Sequence, residues 1–296
     1  MKPHRLTVEK PTHLPGDHHG PVACQNCDHV FTGKYCPECS QRADTHRINW
    51  HYIWHEVPHS IWHVDKGILY TMRELTLRPG HSIREYLAGQ RVRHYRPLAY
   101  LILASAVLGI LFSFADLEDF VRQTNARTGT TSAEAHRFGV ETTLSFMKNQ
   151  KLFTILSTPL FAFAMWLFMP RRRYNFPEHL AIYTFLNAHM IWLSVLTTVP
   201  ILLGYYQIGK WASLVGTVGT IGYLCWAYAQ LYQPNAAWKI ALRTLAGYVS
   251  VILSMLLVAF LVAVVLVFTV PSFRERFKPS PAKTTTTASP VRPAAR

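Results

Sequence analysis

The chain has 296 residues, half of them hydrophobic, with 30 Lys and Arg against 16 Asp and Glu for a formal charge of +14. Its apolar residues fall in long uncharged blocks, which excludes a single soluble globular domain as the whole of the chain. The positive residues crowd against those blocks, so they point to a membrane surface, with nucleic acid the weaker reading.

Residues 1–21 are rich in Pro, His and Gly without apolar periodicity and read as a disordered arm. His4, His13, His18 and His19 offer weak metal ligation there, against the plainer reading of a solvated tail.

Residues 22–46 hold the strongest motif. Cys24, Cys27, Cys36 and Cys39 form two C-x-x-C pairs with eight residues between them. Each pair sets two thiolates on one tight turn, and two such turns meet as a tetrahedron around a soft divalent ion. The expectation is a zinc ribbon with structural zinc, since four protein thiolates leave no open position for water. Two disulfides or a redox pair are the alternatives. A reducing, cytoplasmic location and the doubling of the motif both argue against them. Phe31 and Tyr35 are the expected core of the insert, Gly33 permits the turn between them, and His29 is a bystander.

Residues 47–96 read as an amphipathic juxtamembrane region. His51, His55, His59 and His63, spaced by four, share one face of a helix and suggest a second metal site or a pH-sensing face. The competing reading is the polar side of an interfacial segment marked by Trp50, Trp54 and Trp62 and interrupted by Pro58. Ile68, Leu69, Met72 and Leu75 then trace a helical apolar stripe that Pro79 and Gly80 should end, and a second amphipathic piece runs from His81 to Gln90. These pieces are expected to lie in the headgroup layer as a collar.

Residues 97–271 contain five blocks of membrane-crossing length, at 97–114, 152–169, 180–204, 211–232 and 244–270. The fold class is therefore an all-α membrane protein of about five transmembrane helices with a small N-terminal zinc ribbon. The arginines before the first block, Arg171 to Arg173 after the second, and Lys239 with Arg243 before the fifth fall on one side if the N-terminus is cytoplasmic. The basic tail, 272–296, resists this arrangement: five crossings place it outside, so either the last segment breaks the charge rule or one span is miscounted. The connection from Ala115 to Lys151 is long enough for an extracytoplasmic helix.

Within the blocks, Asn187 and His189 are a candidate intramembrane polar site, with interhelical hydrogen bonding as the plain alternative. Gln230 sits near one end of its block. Glu178 with His179 is the nearest approach to an acid/base couple, and no catalytic constellation accompanies it. Gly216, Gly219 and Gly222 suggest close helix packing, Pro159 and Pro200 kinks, and Cys225 inert filler.

The run from Cys24 to Gln41, followed by Pro79-Gly80, Ile83-Arg84-Glu85-Tyr86-Leu87, Gly89 and Arg91, resembles an uncharacterised bacterial inner-membrane family catalogued as a domain of unknown function. That family carries a C-x-x-C-G-Q ribbon ahead of several spans, and Ser40 here stands where it usually has Gly. The resemblance covers residues 24 to about 105 and implies the zinc ribbon and the inner membrane, but no activity. The leading expectation is a non-enzymatic inner-membrane scaffold whose cytoplasmic ribbon recruits a protein partner while the spans anchor it, organise lipid or pair with a second copy. A transporter or channel built on Asn187 and His189 is the second reading, and a membrane-bound enzyme the third.

Overall fold

A computed structural model of the chain describes residues 20–53, 67–125, 133–170 and 173–269. The arm histidines, His55, His59 and His63, Arg171 and Arg172, and the 272–296 tail lie outside the described residues. Compact units divide at Val251 and Ile252; in the second, the described part is the C-terminal portion of one apolar helix.

The N-terminal module is built on a two-residue antiparallel ladder, β1 (Val22–Ala23) with β2 (Val30–Phe31), in which Val22 faces Phe31. Nine helices follow among the described residues from 67 on: α1 (Ile68–Leu77), α2 (Pro79–Leu87), α3 (Pro97–Phe114), α4 (Leu117–Asn125), α5 (Ala133–Lys148), α6 (Gln150–Phe168), α7 (Phe176–Leu202), α8 (Tyr206–Leu231) and α9 (Ala237–Thr269).

Helix starts follow the local chemistry. Pro79, expected to end a helix, ends α1 and also opens α2, where its missing N–H falls on a donor that has no intrahelical partner anyway. The second amphipathic piece therefore begins at Pro79 rather than His81. Asn175 caps α7 in a complete capping box: its side chain accepts the Glu178 N–H at 2.8 Å, and the Glu178 carboxylate accepts the Asn175 N–H at 2.7 Å.

Among the described residues, four helices are long and apolar enough to cross a membrane: α3, α6, α7 and the Ala237–Val262 part of α9. This is the composition of a membrane protein. Helices α6 to α9 start two to seven residues before the expected blocks, because hydropathy stops at Lys151, Glu178, Lys210 or Lys239 while helix formation does not. The block expected at 211–232 does form a helix, α8, but Gln207, Lys210, Ser213, Thr217 and four glycines dilute its hydropathy below that of the other four.

Helix α7 is the centre of the bundle. It packs against α3, α6 and α8 and buries Ile182, Phe185, Leu186 and Ala188 completely or nearly so. The outward surface is apolar, with Ile110, Leu156, Leu160, Leu196, Leu214 and Val218 exposed, while Thr158, His189 and Thr244 lie inside. An apolar exterior around polar interior groups is the pattern of a helical bundle in lipid.

The ends of the helices are fixed by contacts. The N-terminus of α7 and the C-terminus of α8 both meet the juxtamembrane region, through Arg47 with Glu178 and Arg84 with Gln230. At the other end of α8, Tyr206 packs on Phe120 of α4. Helix α8 thus runs antiparallel to α7 along the length of the bundle, about 39 Å for 26 residues at 1.5 Å each. The 115–151 connection, expected to hold one helix, holds two, α4 and α5, at the end of the bundle far from the ribbon.

Candidate metal centre and its docking surface

The four ligand-type sulfurs Cys24, Cys27, Cys36 and Cys39 lie within 4.8 Å of one another. Cys24 Sγ is 3.5 Å from Cys39 Sγ, and Cys27 Sγ is 3.6 Å from Cys36 Sγ. A tetrahedron with 2.3 Å metal–sulfur bonds has edges of about 3.8 Å, so the four thiolates fit one ion with little adjustment. All four cysteines are free, at separations far above the roughly 2.05 Å of a disulfide.

Two equivalent knuckles produce this cluster. In the first, Cys24 N–H donates to the His29 carbonyl and Asp28 N–H to the Cys24 carbonyl, both at 2.9 Å; in the second, Cys36 N–H donates to Gln41 and Ser40 N–H to Cys36, both at 2.8 Å. The pattern repeats after twelve residues, in step with the doubled C-x-x-C motif. Each knuckle turns back through a residue of positive φ just after its second cysteine: Asp28 and Ser40, both at 61°. Position 40 therefore favours Gly for a backbone reason, and Ser40 occupies a left-handed conformation that side chains disfavour.

Electrostatics divide the sulfurs. Burial opposes ionisation of Cys36, but the backbone N–H groups of Cys39 and Glu38 outweigh it and bring the thiol down to about 7. The His29 N–H favours the Cys27 thiolate; desolvation and the neighbouring sulfurs nevertheless push Cys27 up to about 12. Crowded thiols that cannot all ionise are the arrangement that a divalent cation relieves.

The ribbon core is small: Cys24, Phe31 and Cys36 are buried, with Val22, Cys39 and Ala43 against them. Tyr35, expected in this core, is instead 59% exposed, and Val30 is 60% exposed. Alternation along the short ladder sends Phe31 inward and Val30 outward. Gly33 has φ +112° and makes the expected turn.

Gln41 joins the ribbon to the collar. Its side-chain N–H donates to the Gly89 carbonyl at 2.8 Å, and its carbonyl oxygen accepts the Arg91 N–H at 3.2 Å, so one buried carboxamide pairs with the backbone of the turn after α2. Gly89 adopts φ +108°, and a Cβ there would collide with Gln25. A second set of contacts follows the ribbon. Arg91 donates to the His46 carbonyl at 2.7 Å and lies over the Tyr52 ring; Arg47 forms a two-pronged pair with Glu178 at 2.6 and 2.7 Å; and Asn175 donates to the carbonyl of fully buried Ile48.

The Pro-Gly and Arg-Glu-Tyr-Leu stretch is equally structural. A Cβ on Gly80 would overlap Gln230, Leu231 and Ala227, so α2 crosses the end of α8 at backbone contact. Arg84 donates to the carbonyls of Gln230 and Leu231, closing the C-terminus of α8. Glu85 and Glu74 hold Arg78, while Tyr86 packs on Phe185 of α7 and its hydroxyl meets that of Tyr52 at 3.2 Å. The collar expected in the headgroup layer thus buries Leu75, Ile83 and Tyr86 against protein.

The remaining candidates are dispersed. His51 is exposed. Asn187 donates to Thr158 at 2.9 Å, tying α7 to α6; His189 lies between Tyr100 at 3.1 Å and Thr76 at 3.2 Å, tying α7 to α3 and α1. Glu178 and His179 do not act on each other: the first serves Arg47 and the cap, the second meets the Tyr232 hydroxyl at 2.8 Å. Of Gly216, Gly219 and Gly222, Gly216 lies against Thr197, while Gly219 and Gly222 face open space. Cys225 Sγ points to the Ala241 carbonyl at 3.6 Å, joining α8 to α9.

No curated protein and no solved structure matches the chain. Residues 65–109, from the later part of the collar into α3, match the family described as "Protein of unknown function (DUF3667)".

Proposed function

We propose that this is a multi-pass protein of a bacterial inner membrane, with five crossings and a cytoplasmic N-terminus, whose zinc-held ribbon recruits a protein partner without catalysing a reaction. The carrying observation is the ribbon's division of labour. Gln41 fastens it to the collar, while Val30 and Tyr35 remain exposed in a module with three fully buried core residues. Val30 and Tyr35 are apolar area outside that core which a partner surface can cover.

The fifth crossing is α8, supported by its run from the α4 end to the collar end beside α7. The cytoplasmic N-terminus is supported by Arg78, Arg84, Arg91 and Arg173, which gather at the ribbon end of the bundle. Zinc is supported by four converging thiolates in a set that leaves no coordination position for water.

Cross-linking in intact cells, followed by detergent purification, tests the reading with Val30→Ser/Tyr35→Ser against wild type. A partner band that disappears in the double variant while the metal content stays unchanged supports recruitment. The same bands from both proteins, or none from wild type, would remove the idea.

A further inference from the structure

At the end of the bundle far from the ribbon, a cavity of about 740 Å³ opens between the C-terminal half of α3, α4, and the junction of α5 with α6. That volume lies within the roughly 300–1,000 Å³ of small-ligand sites. One wall is a groove on α3 made by Ser105, Gly109 and Ser113, three small residues spaced by four on a single face. It runs about 12 Å along the helix, at 1.5 Å per residue, and the Lys151 stem crosses it at Gly109. Leu108, Phe112 and Ile191 give it an apolar lining.

Ser105 marks the deep end. It is 94% buried, lines the cavity, and its hydroxyl has no hydrogen-bond partner. Serine and threonine within a helix ordinarily donate to the carbonyl four residues back, as Thr158, Thr184 and Thr244 do here. Ser105 leaves that bond unmade, so a donor stands free in an apolar wall, at a cost that a ligand oxygen would remove.

The mouth carries the charge. Lys151 lays its stem across Gly109, with Cδ 3.0 Å from where a Cβ would stand, so the glycine makes room for it. Lys148 lies beside it on the rim. Among the described residues neither ammonium has an ion-pair partner, whereas the two rim carboxylates are engaged. Asp116 accepts the Asp119 N–H at 3.0 Å, and Glu118 pairs with Arg122 at 2.5 Å.

We propose that this cavity binds an anionic phospholipid, its phosphate at Lys148 and Lys151 and an ester carbonyl accepting from Ser105, with the upper acyl chain along Leu108, Phe112 and Ile191. The rim cations meet the phosphate and the lone donor meets the ester oxygen next along such a lipid, while the acyl chain beyond the ester returns along the apolar wall toward the mouth and the surrounding bilayer. A fatty acid shares the anionic head and the chain but has no second oxygen group to reach Ser105. The inference stands independently of partner recruitment by the ribbon.

Binding to the full chain in detergent, followed by native mass spectrometry, tests this with short-chain phosphatidylglycerol, short-chain phosphatidylcholine and octanoate. Phosphatidylglycerol should bind at least fivefold more tightly than phosphatidylcholine, and Lys148→Met/Lys151→Met should abolish the difference. Ser105→Ala should weaken phosphatidylglycerol severalfold, leave octanoate unchanged and leave the thermal stability of the lipid-free protein undiminished. Equal binding of the two phospholipids, or unchanged phosphatidylglycerol binding in both variants, would overturn the proposal. Tight, lysine-dependent octanoate with weak phosphatidylglycerol would overturn the phospholipid assignment in favour of a free carboxylate.

Discussion

The side chains that matter most in the ribbon are those that set its backbone. Ser40 sits at φ 61°, which costs a non-glycine residue about 1–2 kcal/mol, whereas glycine gives back about 0.5–1 kcal/mol through its freer unfolded chain. Ser40→Gly should therefore stabilise the metal-bound ribbon by up to about 1 kcal/mol, read as a higher chelator concentration at half-release. Gln41→Leu should loosen the docking by about 1–3 kcal/mol, since it strands the Gly89 carbonyl and the Arg91 N–H. Faster hydrogen exchange at residues 84–92 with unchanged metal content is the expected readout. The four thiolates were legible in the sequence because their spacing carries the geometry. Gln41 was visible only as the last residue of the run that carries the family resemblance, because its partners lie 48 and 50 residues away.

His94 gives the collar a pH dependence. Its ring is buried against Tyr70 and Tyr86, with Ser82 at 3.0 Å and the Gln90 carbonyl at 2.9 Å, and burial lowers its pKa below the ordinary value. The unfolded chain then binds a proton that the folded chain refuses, so stability is full above about pH 6.5 and falls on acidification. Thermal unfolding between pH 7.5 and 5.5 should show this loss, and His94→Gln should flatten it.

Among the elements, α2 has the most exacting contacts. Gly80 admits the backbone of α8, so Gly80→Val should destabilise the detergent-solubilised protein by about 1–3 kcal/mol or more, seen as a lowered unfolding temperature. The apolar blocks at α3, α6, α7 and α9 were legible because each is uniformly hydrophobic over a membrane's thickness. Helix ends were not, since capping by Asn175 and Glu178 and N-terminal Pro79 carry helices into polar sequence. The arginines before α3 read as lipid-facing charge, yet Arg84 closes α8, and Arg91 holds His46 and the Tyr52 ring. A charge count records only that they stand beside a span.

Over the whole molecule, the ribbon end is a single network: metal cluster, Gln41, the turn at Gly89, Arg47 with Glu178, and the caps of α7 and α8. Loss of Glu178 as Glu178→Ala removes both the Arg47 pair and one half of the capping box. Arg47 is largely exposed, so the pair itself contributes little, and the cap about 1 kcal/mol. The links made by Gln41, Arg47 and Arg84 were not readable in advance, because each joins residues more than 40 positions apart. The most direct measurement is elemental analysis of the detergent-purified chain. One zinc per chain in wild type and none in Cys36→Ser is the predicted result; a metal-free wild type, or zinc retained without Cys36, would contradict the account.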